Sequence, residues 1–261
     1  MSARRRLRAV GALVRRAPAP AMLAASCVGW AALMWSTASE AAAHAAHSRQ
    51  SALLMHAMNG MDAAAETAAA PHAFAVWPAM ILAMAPLLLM REVGRLWRGS
   101  LRRTRMPTIG VFLTGYGMMW LALGIIVVPL SQVIAARAGL VWLAVAVTVV
   151  WQCSPLRQRA VNVCHRAPAL RVFGSAAQWD AWRYGAITGG ACAASCGPVM
   201  LLVLLAADYH LAAMVVATIL LTAERYHPAR RPRWRLPFTP EPSPEWLGAR
   251  SSRSSRVVRG T

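Results

Sequence analysis

Between Ala17 and Glu224 the sequence returns repeatedly to apolar runs that charged residues barely interrupt: Ala17–Ala38, Ala73–Met90, Thr108–Leu130, Gly139–Gln152, Gly185–Ala207 and Tyr209–Glu224. A helix of about 20 apolar residues crosses a bilayer. Lipid offers the backbone no hydrogen-bond partner, so each such run must pair its own N–H and C=O groups and fold as a helix. The runs therefore predict an all-α, polytopic membrane bundle of about six transmembrane helices.

Charge orients that bundle. The formal net charge is +19, carried by 28 Arg and no Lys. So basic a chain could engage nucleic acid, but the arginines fall between apolar runs, where the positive-inside rule accounts for them. Arg91, Arg95, Arg98, Arg102, Arg103 and Arg105 follow the second run, and Arg157, Arg159, Arg166, Arg171 and Arg183 follow the fourth. Both segments are expected inside, with both termini cytoplasmic. No nucleic-acid partner is expected; the lipid bilayer is.

Residues 1–16 then form a basic head and 17–38 a first span, or an uncleaved signal anchor. A cleaved secretory signal is the alternative, since the small-residue sequence TASEAAA follows. Residues 39–72 form a His/Met-rich extracytoplasmic loop, 73–225 a five-span membrane domain, and 226–261 a basic, Pro- and Ser-rich tail expected to be disordered. Within 153–183 the stretch SAAQWDAWRYG reads as a short interfacial amphipathic segment.

Soft donors are the chemistry of this chain. Cys192, Cys196 and Met200 recur every four residues, which places two thiols and a thioether on one helix face. Met80 and Met84 are likewise one turn apart. In the outer loop Met55, Met58 and Met61 surround His56, with His44 and His47 upstream; such a cluster suits copper or is a plain Ala-rich linker. A rise of about 1.5 Å per residue gives each candidate a depth. Met84, Met118 and Cys196 share the midplane, and Met80, Met200 and Met214 lie nearer the outer face. Asp208 and His210 stand at the outer mouth, while Cys164 and His165 lie toward the cytoplasm. A ladder of ligands for Cu(I) is one reading. Close packing is the other, because Ala191, Ala193, Ala194, Ser195 and Gly197 let helices approach. A Cys192–Cys196 disulfide is disfavoured by helix geometry. Pro198 frees backbone carbonyls that either serve a site or are satisfied by neighbours. Glu224 is a candidate intramembrane acid, or pairs with Arg225 or a loop Arg.

The sequences WPAMILAMAPLLL, GYGMMW (Gly115–Trp120), WQCSPLRQRAVNVCHRAP and Cys192 through Glu224 resemble motifs of a bacterial family of predicted metal-binding integral membrane proteins of unknown function, sometimes labelled copper chaperones. The resemblance covers about Trp77 to Arg225. It implies copper, or another soft transition metal, as the bound species, a multi-pass protein of the bacterial inner membrane, and a protein that donates or receives the metal. Tyr116 and Trp120 fall in its motifs. Departures are Ala160 and Ser195 at positions where the family carries Cys, and His210 where it carries Asn. No phosphate loop or hydrolytic constellation is present, so an enzyme is not expected. The rivals to metal handling are a membrane scaffold or assembly subunit and a transporter of a small non-metal solute using the breaks at Pro86 and Pro198.

Overall fold

The computed structural model describes residues 18–55, 69–166, 168, 171, 174–206, 209–227 and 229–235. These form helices α1 (Ala19–Met55), α2 (Ala69–Gly99), α3 (Arg105–Ala135), α4 (Ala138–Cys153), α5 (Pro155–Cys164), α6 (Gly174–Leu205) and α7 (His210–Tyr226), with no strand among the described residues. Four helices are long and apolar enough to cross a membrane: α1 (over Ala19–Ser39), α2, α3 and α6. The α4–α5 pair, bent by 63°, makes a fifth if it is one span. α7, at 17 residues, is at the lower limit of a spanning helix. Ile125, Ile126, Trp142, Leu143 and Val147 point outward. So wide an apolar exterior suits lipid rather than water.

Three boundaries differ from the sequence expectation. α1 continues past residue 38 to Met55. The basic segment after the fourth run is not simply a loop, because Ser154 and Pro155 start a helix there. The Ser154 hydroxyl accepts the Arg157 N–H at 3.1 Å, and Pro155 occupies the first turn, where its missing N–H costs nothing. The amphipathic stretch at 175–185 is the opening of α6 and runs without a break into the fifth apolar run. Trp179 and Trp182 stack there, 5.1 Å between ring centres, and Asp180 receives both the Nε and Nη2 of Arg171.

Tight helix crossings hold the bundle. α3 and α6 pack along most of their length, and α1 packs on α2. Gly185 and Gly189, one turn apart on α6, lie directly against the Phe112 and Tyr116 carbonyls, while Gly115 of α3 lies against Trp182. A methyl group at Gly185 would collide with backbone. Small residues four apart permit this approach, and dispersion over the interface then holds it. Pro198 is accommodated rather than left open. Pro198 cannot bond the Ala194 carbonyl; the Trp151 indole N–H donates to that oxygen at 2.9 Å, and Gln152 to Ser195 O at 3.3 Å. In the turn before Pro86, Ser26 donates to the Ala83 carbonyl at 2.5 Å.

The tail, expected to be disordered from 226, is held at its start. Asn162 exchanges hydrogen bonds with the Arg230 backbone, and the Arg235 N–H reaches the Cys153 carbonyl.

Candidate metal centre

α2, α3, α6 and α7 converge on one buried core. Inside it is a cavity of about 10 Å³, roughly one water-sized body, lined by Met80 and Met84 from α2, Cys196 and Met200 from α6, and the aromatics Trp77, Tyr116 and Trp120. The one-turn spacing expected to align Cys192, Cys196 and Met200 does so: all three are buried. Met80 and Met84 reach the same cavity, so the two depth layers of the sequence reading meet in one place. Met214, fully buried, belongs to the same core.

Cys192 Sγ and Cys196 Sγ are 3.9 Å apart. Both are free thiols, so no disulfide joins them. Two metal–thiolate bonds of about 2.3 Å each would more than span that gap, so both sulfurs can hold one ion without backbone movement. The Tyr116 hydroxyl donates to Cys192 Sγ at 3.4 Å. Ser195 points the same way: its hydroxyl donates to the Cys192 carbonyl at 3.0 Å and lies 3.4 Å from Cys196 Sγ. The Trp77 indole N–H reaches the Trp120 carbonyl at 3.0 Å, closing the cavity wall.

At the N-terminal end of α7, His210 Nδ1 donates to the Val203 carbonyl at 3.0 Å, since a carbonyl can only accept. In the neutral ring this leaves Nε2 with a free lone pair, and Nε2 is buried without a partner. Histidines that ligate metals commonly donate their other ring N–H to a carbonyl in this way.

Other candidates are not brought to the centre. Met118 is 53% exposed; it projects from the outer face of α3, on the opposite side from Tyr116 and Trp120, and leaves the proposed midplane set. His165 caps α5, its Nδ1 against Val161 O at 3.0 Å and its Nε2 against His227 O at 2.9 Å, so neither nitrogen is free. Cys164 is buried beside the Ala160 and Thr188 carbonyls. Glu224 pairs with an arginine of the basic segment expected to be a loop, one of the two partners the sequence allowed, and that arginine stands in α5. Arg157 grips it with both terminal nitrogens, Nη1 at 2.6 Å from Oε1 and Nη2 on Oε2. His56, Met58, Met61 and Asp208 lie outside the described residues, as do the side chains of His44, His47 and Met55.

Two elements of the centre escaped the sequence reading. Gly185 and Gly189, which set the α3–α6 distance and thereby the Tyr116–Cys192 contact, were readable as a small-residue pair four apart. Arg225 is buried in the last turn of α7; nothing in an arginine-rich sequence distinguishes it from its exposed neighbours.

Among the described residues no three of His, Cys, Asp and Glu come together. Any metal here would lean on thioethers as well as thiols, a donor set for a soft ion. Against this geometry, a family model described as a copper chaperone (PpoB2) matches residues 74–237, more than half of the chain. The chain belongs to this copper-chaperone family. No curated protein and no solved structure matches it.

Proposed function

We propose that this member of the copper-chaperone family is a multi-pass protein of the bacterial inner membrane that binds copper as Cu(I) within its helix bundle and passes it to, or receives it from, a protein partner. One observation carries the reading: Met80, Met84, Cys196 and Met200 line a single water-sized cavity, with Cys192 Sγ 3.9 Å from Cys196 Sγ. Soft sulfur donors suit Cu(I), which accepts few ligands and exchanges readily between them. His210 is the outer ligand, Met214 lies beside it, and Cys164 is a thiol toward the cytoplasm. In this reading six helices cross the membrane with both termini inside. The outer segment carrying His44, His47, Met55, His56, Met58 and Met61, with Asp208 at the mouth, captures the ion. The role is binding and transfer rather than catalysis.

The test is the copper content of protein purified in detergent under reducing conditions. Wild type should carry about one Cu(I) in the bundle. Cys192→Ser with Cys196→Ser should carry none there, and Met118→Leu should match wild type because Met118 faces outward. Deleting 44–61 should slow loading and leave the bundle site intact. Equal copper in wild type and the double Cys variant, or none in either, sinks the intramembrane site.

A further inference from the structure

Arg225 is 6% exposed. Its Nη1 and Nη2 are buried with no hydrogen-bond partner, and its backbone is fixed by Arg91, whose Nη1 donates to the Arg225 carbonyl at 2.8 Å. A guanidinium cannot shed its proton in a protein, so burial without an anion is costly. The carboxylates near this end of the bundle each have a cation of their own: both oxygens of Glu224 meet Arg157, and Glu92 Oε1 meets Arg95 at 2.9 Å while its Oε2 is buried without a hydrogen-bond partner. The groups that act on the Arg225 charge are thiols and a phenol, Cys192, Cys164, Cys196 and Tyr116, of which Tyr116, Cys192 and Cys196 are in contact with one another. Among the described residues Arg225 is the buried guanidinium at these sulfurs that has no carboxylate in an ion pair with it.

We infer that Arg225 is the counter-cation of a metal–dithiolate centre and selects a monovalent soft ion, the centre being Cys192 and Cys196 with one M(I). The inference rests on the metal-binding reading above and deepens it by fixing the ligand count and the charge of the substrate. Thiols bind metals as thiolates. Two thiolates and M(I) carry a net charge of −1, which Arg225 brings to zero. Two thiolates and M(II) are neutral and leave the guanidinium uncompensated in a low-dielectric interior. One thiolate with thioethers and M(I) is also neutral, and it fails for the same reason. Of these combinations, only the dithiolate with a monovalent ion leaves no net charge. Arg225 acts through the sulfurs as a positioning and charge-balancing residue; it does not itself bind the ion.

The experiment uses full-length protein in detergent and competes Ag(I) against Cd(II), a monovalent and a divalent thiophile of similar softness. Metal retained against a chelator is read by mass spectrometry. Replacing Arg225 with Met keeps length and removes charge. The Ag(I)-to-Cd(II) affinity ratio should fall at least tenfold in Arg225→Met and recover in Arg225→Lys. A ratio within threefold of wild type in Arg225→Met overturns the inference. Should that variant not fold, two conservative variants decide. Cys192→Ser strips a thiolate and should lose Ag(I) at least tenfold more than Met200→Leu, which strips a neutral donor. Equal losses overturn the inference. A wild-type chain that binds neither ion overturns both this inference and the functional reading, whereas binding that ignores position 225 overturns the charge argument alone.

Discussion

Gly185 offers a sharp test of the α3–α6 crossing on which the centre depends. An Ala methyl at this position would fall on the Phe112 carbonyl oxygen and press on Tyr116 N at 3.1 Å. Ordinary contact begins near 3.4 Å, so the helices must part by at least about 1 Å. A gap of that size forfeits about a quarter to a half of the dispersion energy of each contact it opens, and overpacking of a tight interface costs about 1–3 kcal/mol. Ala is better than Gly in a helix by about 1 kcal/mol, so Gly185→Ala should destabilise by a net of up to about 2 kcal/mol. Gly190 is the internal control: it sits on the same helix, and a methyl there meets nothing within 4 Å. Gly190→Ala should therefore stabilise by about 0.5–1 kcal/mol. Gly189, whose nearest obstacle is the Tyr116 carbonyl at 2.8 Å, should fall between them. Equilibrium unfolding in mixed micelles measures all three, and the Gly185 and Gly190 variants should differ by about 1–3 kcal/mol, the overpacking cost, since the propensity gain is common to both. Equal stability of those two would refute the crossing. The same parting of helices would stretch the Tyr116–Cys192 contact beyond hydrogen-bonding range, so metal affinity should fall in Gly185→Ala, fall less in Gly189→Ala, and stay unchanged in Gly190→Ala.

Glu224→Gln should cost about 3 kcal/mol, because it strands the buried charge of Arg157; the estimate takes the low end of the range since Glu224 keeps 16% side-chain exposure. Adding Arg157→Met should recover much of that loss in the same unfolding assay, and no recovery would mean that the pair is not coupled. Trp151→Phe should cost about 1 kcal/mol by leaving the Ala194 carbonyl unpaired. Combined with Pro198→Ala, which restores a helical N–H to that carbonyl, the penalty of Trp151→Phe should shrink to near zero, and additive losses would contradict the assignment.

The apolar runs made the helices legible, since lipid leaves the backbone no other choice. Which face of each helix turns inward was legible only where chemistry marked it. The third run is apolar all round, so Met118 and Met119 carry no sign of which side meets lipid, and Met118 proved to face outward. On α6 the four-residue spacing of Cys192, Cys196 and Met200 was itself the mark, and that stripe is buried as expected. The start of α5 was also written in the sequence, as Ser154 followed by Pro155 and an open run. The density of arginine concealed it, because charge reads as loop when topology is inferred from charge. Pro198 illustrates what a one-dimensional reading cannot give: a freed carbonyl is predictable from Pro alone, but its partner Trp151 lies 43 residues away and is supplied by the bend between α4 and α5.

Ser195 stands where the resembling family carries a further Cys, which at first weakens the case for a metal. The structure gives that departure a different weight. The Ser195 hydroxyl bonds the Cys192 carbonyl and approaches Cys196 Sγ, so the position still supports the thiol pair without adding a donor. A third thiolate would bring the centre with one M(I) to −2, which the single buried Arg225 could not balance. With Ser195 the thiolates number two, and the charges of the ion, the sulfurs and the guanidinium sum to zero. The mutation Ser195→Cys, accordingly, should not tighten Ag(I) binding; a large gain in affinity would show that charge balance does not govern this centre.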